Sequence, residues 1–176
     1  RDQGRRLKHR HPFLQSVSRF APREGWDSFV LLVVAMSAVA FTVREGDWVD
    51  TPGLFLIIFF SVLTGLILAK PKLPGIVMFL VGLMVGCIIV AWQAMSLVQA
   101  QSVPSAFLEM RERIWHWYEA ATTGGISTDL LPFTFAILAI AWMLGFVSSW
   151  FLFRRGNVWV GSVLGGIAIL TNLSFL

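Results

Sequence analysis

Five apolar stretches, each close to the length needed to cross a bilayer, take up most of the chain, and they restrict it to folds whose solvent is lipid. About 20 apolar residues in a helix span the roughly 30 Å of hydrocarbon, and only a helix or a closed barrel satisfies its own backbone there. The stretches run over 26–43, 51–69, 75–98, 130–153 and 158–176. Charged residues make up 14% of the chain and the mean hydropathy is +0.73, whereas soluble domains carry roughly 25% charged residues. A water-soluble fold is excluded on that balance. The expected class is an all-α membrane protein: five transmembrane helices, two tight hairpins among them, and one amphipathic helix lying on the outer surface. A basic arm, 1–25, precedes the spans, and an outer segment, 99–129, divides the third from the fourth.

The connections are as informative as the spans. Pro52 falls in the first turn of the second stretch, where a missing N–H is harmless. The turn Lys70, Pro71, Lys72, Leu73, Pro74 is short enough to make spans two and three antiparallel neighbours, and Arg154, Arg155, Gly156 and Asn157 do the same for spans four and five. Cationic connections stay on the cytoplasmic side during insertion. With five alternating spans, that side collects Arg1, Arg5, Arg6, Lys8, Arg10, Arg19 and Arg23 of the arm together with Lys70, Lys72, Arg154 and Arg155, while the other side has only Arg44, Arg111 and Arg113. The expected orientation therefore has a cytoplasmic N-terminus and an extracytoplasmic C-terminus. Trp26, Trp48, Trp150 and Trp159 lie near span ends, where indole rings favour the headgroup layer, while Trp92 and Trp142 lie deeper and either pack between helices or face lipid.

In the outer segment Phe107, Met110, Ile114, Trp117 and Ala121 recur at three and four, drawing one apolar stripe on a helix, with Glu109, Glu112, His116 and Glu119 opposite. The pattern fits a helix on the outer surface with Trp115, Trp117 and Tyr118 at headgroup depth. Pro104 and Ser105 mark its start, and Gly124 with Gly125 its stop. Glu112 and His116, four residues apart, are the weak candidates for a divalent metal; with no second histidine or cysteine nearby, a solvated polar face is the competing expectation.

Apart from Asp27 in the opening turn of the first, the five stretches contain no ionisable Asp, Glu, Lys, Arg or His. Proton relays and ion pathways need such groups at depth, so a pump or ion-coupled transporter is disfavoured. His9, His11 and His116 all lie outside the spans, which disfavours intramembrane haem or chlorophyll, and no cofactor is expected. Gly82 and Gly86, Gly161 and Gly165, and Ser162 and Gly166 stand four apart, a spacing that lets helix backbones approach. Thr64, Gln93 and Asn172 are candidates for interhelical hydrogen bonds. Cys87, the one cysteine, sits in an apolar run and is expected to be a packing residue. The arm is expected to fix topology and to lie on anionic lipid; no folded basic module accompanies it, so nucleic acid is not an expected partner. No small-residue cleavage site follows the first span, so that span is expected to be retained.

Gly25-Trp26-Asp27 opening the first span, Arg154-Arg155-Gly156-Asn157-Val158-Trp159 before the fifth and Leu170-Thr171-Asn172-Leu173-Ser174 near the end, in this order of parts, resemble the N-terminal membrane region of bacterial transglutaminase-like membrane proteins of the TgpA type. The resemblance implies the bacterial plasma membrane and a multi-span region that precedes an extracytoplasmic domain with Cys, His and Asp chemistry. None of those catalytic residues is assigned here, and Cys87, mid-span with no histidine near it in sequence, is not a nucleophile candidate. The residues shown are then a non-catalytic anchor and scaffold within a longer parent, an expectation that goes with an Arg1 start and an apolar Leu176 end. The alternative is an accessory structural subunit of a larger bacterial membrane complex, with other membrane subunits as partners.

Overall fold

The computed structural model of the chain describes residues 25–46, 49, 51, 53–98, 102–125 and 127–174. The basic arm, including Arg5, Arg6, Lys8 and Arg10, lies outside these residues, as do Trp48 and Pro52. Among the described residues all regular structure is helical: α1 Trp26–Glu45, α2 Leu54–Ala69, α3 Gly75–Met95, α4 Val103–Thr123, α5 Leu131–Arg155 and α6 Trp159–Leu173. Three of them, α1, α3 and α5, are long and apolar enough to cross a membrane. The other two apolar helices are shorter than the sequence suggests: α2 has 16 residues and α6 has 15, about 24 Å and 22 Å at ~1.5 Å per residue. Conversely α1 runs on through Arg44 and Glu45, and α5 through Arg154 and Arg155, so both helices continue past their apolar stretches.

α5 is the hub, touching every other helix, and its most extensive partner is α2. On α2 the buried residues Leu54, Ile57, Ile58, Ser61, Val62, Gly65, Leu66 and Ala69 form one continuous stripe at three- and four-residue spacing. Lipid tails are as apolar as leucine, so in a membrane such a stripe would gain its stability from close packing rather than from escape from water. Small residues supply the closeness. A Cβ on Gly65 would stand 2.6 Å from Cβ of Ser149, and one on Gly145 would stand 1.9 Å from Oγ of Ser61. The two helices thus exchange small residues reciprocally, Ser61 and Gly65 against Gly145 and Ser149. Ser149 donates its hydroxyl to the Val62 carbonyl at 2.6 Å, a buried bond between helices. Ser61 returns its own to Ile58 within α2.

α3 packs on the other flank of α5 in a different way. Gly82 and Gly86 open a groove on α3 into which aromatic rings of α5 descend: a Cβ on Gly82 would meet the Phe146 ring at 2.1 Å, and one on Gly86 would meet Nε1 of Trp142 at 2.2 Å. Phe79, Phe146 and Trp150 continue the aromatic layer, with centroids 5.3–6.0 Å apart. α5 ends at Gly156, whose positive φ of 63° closes the helix in the left-handed conformation open to glycine and turns the chain into α6.

Replacing Gly65 by Ala forces a methyl against Ser149 and the Phe146 carbonyl. This substitution is expected to cost about 1–3 kcal/mol and lower the thermal midpoint in detergent, whereas Gly166→Ala, with nothing within 4 Å of the new atom, leaves it unchanged.

Candidate functional site

Two polar closures and one lateral cleft hold the chemistry this bundle offers. The first closure binds the two hairpin turns together. Arg154, in the last turn of α5, donates to the carbonyls of Leu73 at 2.8 Å and of Ala69 and Pro71 at 3.4 Å, while its guanidinium lies 5.0 Å above the Trp150 ring. The last carbonyl of α2, that of Ala69, and those of Pro71 and Leu73 in the turn after it are the three that this planar cation with several donors serves. The α2–α3 turn and the α5–α6 turn are therefore at one end of the bundle. Lys70 lies beside them, its ammonium held below its ordinary pKa by partial burial. Arg155 is exposed and leans over the Phe151 ring.

The second closure is at the opposite end. Asn172 of α6 donates to the Thr42 carbonyl of α1 at 2.7 Å, joining the C-terminal ends of these helices. Arg113 of α4 grips Asp129 with both arms, Nε to Oδ2 at 2.6 Å and Nη2 to Oδ1 at 2.5 Å, and Oδ1 of Asp129 also accepts from the Leu131 backbone N–H that opens α5. One carboxylate thus latches α4 and caps α5. The paired guanidinium, and then the Leu131 N–H, hold Asp129 below its ordinary pKa despite its partial burial, and the same pairing raises Arg113. The capping box of Ser102 and Ser105 starts α4, and Ala106 and Met110 pack with Ala94, Val98 and Leu131.

The outer helix differs from its sequence pattern in which faces are covered. Of the stripe Phe107, Met110, Ile114, Trp117 and Ala121, Met110 and Ile114 turn onto the bundle, while Phe107, Trp117 and Ala121 stay exposed. The physical reason is that Ala106 and Arg113 share the covered face, so packing and the latch, not lipid, claim the centre of the stripe. Phe107, Leu108, Trp115 and Tyr118, with Arg111 among them, form an uncovered flank; the Trp115 and Tyr118 rings are 6.0 Å apart. Glu112 and His116 are exposed. Nδ1 of His116 comes within 3.8 Å of Glu119, and among the described residues no group of three ligating side chains gathers around them.

The other singled-out residues divide. Gly82, Gly86, Gly161 and Gly165 all meet neighbouring helices: Gly161 faces Ser148 and Gly165 faces Met36 and Val39. Gly166 faces open space. Trp26 and Trp159 are exposed at helix starts, while Trp150 is only 5% exposed and is packed inside the protein beneath Arg154 rather than among headgroups. Trp142 is buried and Trp92 exposed. Cys87 is exposed on α3 instead of packed between helices, because Gly86 beside it, not the thiol, faces α5. Sequence reasoning missed Asp129 and Arg113 as a pair, since their 16-residue separation crosses a loop and shows no periodicity; the start of α5 two residues after an Asp is the signal that marks the cap.

Toward the Arg154 end α1 and α6 enclose a cleft of about 570 Å³ whose floor is α5. Apolar side chains dominate its walls, with Asp27 and Ser28 from the first turn of α1, and Gly166 and Ser162 on α6. Ser148 lines the floor; its Oγ is buried without a hydrogen-bond partner. No family model, no curated protein and no solved structure matches the chain.

Two outcomes follow from these closures. Arg154→Ala is expected to lower the thermal midpoint clearly more than Arg155→Ala, because Arg154 donates to the carbonyls of the α2–α3 turn while Arg155 leans over the Phe151 ring of its own helix. For the outer latch, a depressed carboxyl pKa means the stabilisation is fully present above the ordinary Asp value of about 4 and is lost as pH falls through the lowered value. Hydrogen exchange of 103–123 should therefore rise at pH 7 in Asp129→Asn, and in the unaltered chain only on strong acidification.

Proposed function

We propose that the chain is a membrane-embedded anchor and scaffold that crosses the bilayer five times, α2 and α6 included, with α4 on the extracytoplasmic side. The observation that carries this reading is the interior: among the described residues the buried polar side chains are Ser61, Thr134, Ser148, Ser149 and Asn172, all uncharged. Ser61, Ser149 and Asn172 bond to backbone carbonyls. Such an interior binds helices to one another and offers no charged path for an ion or proton. The five-span arrangement is supported by the Arg154 closure, which keeps both cationic turns at one end, and by the Asn172 bond at the other. The short helices α2 and α6 complete their crossings with flanking residues, and α2 is shielded on several sides by α1, α3 and α5. In this reading the N-terminus is cytoplasmic in a bacterial plasma membrane, and the chain leads outward after Leu173 to a transglutaminase-like domain of a longer parent.

An accessory-subunit role is favoured by a different observation, the uncovered aromatic flank Phe107, Leu108, Trp115 and Tyr118 of α4. Partner helices at fixed stoichiometry after mild detergent extraction would select it over the anchor.

Cysteines placed at Lys72, Arg155 and Glu119 in a Cys87→Ser background test the orientation. A membrane-impermeant maleimide added to sealed inverted vesicles should label the first two and spare the third; labels at 72 and 155 from opposite faces would refute the arrangement. Intact mass of the native protein tests the parent, since a chain that ended near Leu176 would leave no external domain to carry.

A further inference from the structure

The α1–α6 cleft is built for an occupant, and its polar features select which kind. Asp27 stands at the mouth, and among the described residues no cation pairs with it. A carboxylate there repels the phosphate of an anionic lipid and favours a cationic or donor-bearing partner. Deeper in, Gly166 and Ser162 leave the α6 wall without side-chain bulk, and nothing lies within 4 Å of a Cβ on Gly166. On the floor, the orphaned Ser148 hydroxyl is closed off from water. The site therefore combines a negative rim, room for large apolar groups and an unmet hydrogen-bonding group.

The chain itself has a segment with the complementary character, and it begins at the rim. The 24 residues that precede Gly25 carry seven Lys and Arg, and Phe13, Leu14, Val17, Phe20 and Ala21 recur at three and four among them. Gly25, immediately beside the mouth, has φ 86° and ψ 163°, a backbone region essentially confined to glycine. Reach is sufficient: the five residues from Phe20 to Gly25 extend at most about 17 Å, and Phe13 lies further out along the same tether. The cleft runs beside α1 from Asp27 to Val39, which is about 18 Å of helix.

We propose that this cleft is the seat of the chain's own N-terminal arm, with Phe20 and its apolar neighbours entering between α1 and α6 and Arg19 or Arg23 meeting Asp27. The arm then does more than mark topology: it wedges the inner half of α1 and α6. The inference rests on the cleft and on covalent attachment at Gly25, not on the number of spans, so it can fail while the five-span reading stands.

The test uses the full chain in nanodiscs of phosphatidylcholine, with Cys87→Ser removing the one native thiol. Phe20→Cys is paired with Ser162→Cys in the cleft, or with Val81→Cys on the exposed face of α3, and copper phenanthroline is added. Intramolecular disulfide should form at least tenfold faster for the cleft pair, and Asp27→Asn should slow it several-fold. Equal rates for the two pairs, or linkage only between copies, would overturn the proposal, the latter giving the cleft to a second copy. Should a paired variant misfold, hydrogen exchange of 13–21 in the otherwise unaltered chain reads the same contact: protection lost several-fold in Asp27→Asn supports it, and protection indifferent to Asp27 shows an arm lying on lipid and sinks it.

Discussion

Backbone proximity between α2 and α5 is the constraint on which the rest of the bundle depends. In water a helix pair could rely on hiding leucine from solvent; in lipid the same leucine gains nothing by changing neighbours. Ser61 and Gly65 against Gly145 and Ser149 replace that missing drive with contact so close that one methyl has no place, and with a hydroxyl bond across the seam. Once α5 is fixed on α2, its opposite flank presents Trp142 and Phe146 to the glycine groove of α3, and its ends present Arg154 and the Asp129-capped start to the two turns. Each secondary contact is placed by that first one.

Much of this was legible in the residues, and the parts that were not share a cause. Apolar length and cationic turns located the five apolar helices to within a few residues, and the four-residue glycine spacings marked the Gly82–Gly86 groove and the Gly161–Gly165 face, because both signals are local. The α2–α5 seam was missed although it carries the same kind of signal: Ser61 and Gly65 stand four apart, as do Gly145 and Ser149, but spacing within one helix does not say which stripe some 80 residues away will face it. The boundaries of α2 and α6 were overestimated for a related reason, since hydropathy counts apolar residues whether or not they are wound into helix.

The polar sites show the same division. Arg154 was recognisable as a topological charge, yet its contact with three carbonyls depends on a neighbour from another hairpin. Trp150, read as a headgroup anchor from its distance to a helix end, is instead the platform beneath that arginine. On α4 the apolar stripe was real, but the covered face was decided by Arg113 reaching Asp129, an ion pair whose members stand on different elements. Glu112 and His116 share a helix face, as their spacing requires, and among the described residues no group of ligating side chains converges on them.

The order of the chain gives the central seam a further consequence. The helix that completes it, α5, follows α1, α2, α3 and α4 in the chain, so under the five-span reading proposed above the serine and glycine stripe of α2 would spend the interval before its synthesis facing lipid or a transient substitute. The first hairpin must therefore tolerate an unfinished state in which its best surface is bare, and the arrival of Leu131–Arg155 commits all the earlier helices at once. Quality control that recognises exposed small-residue stripes within the bilayer would have its window at that stage, and a chain interrupted before Leu131 would never leave it.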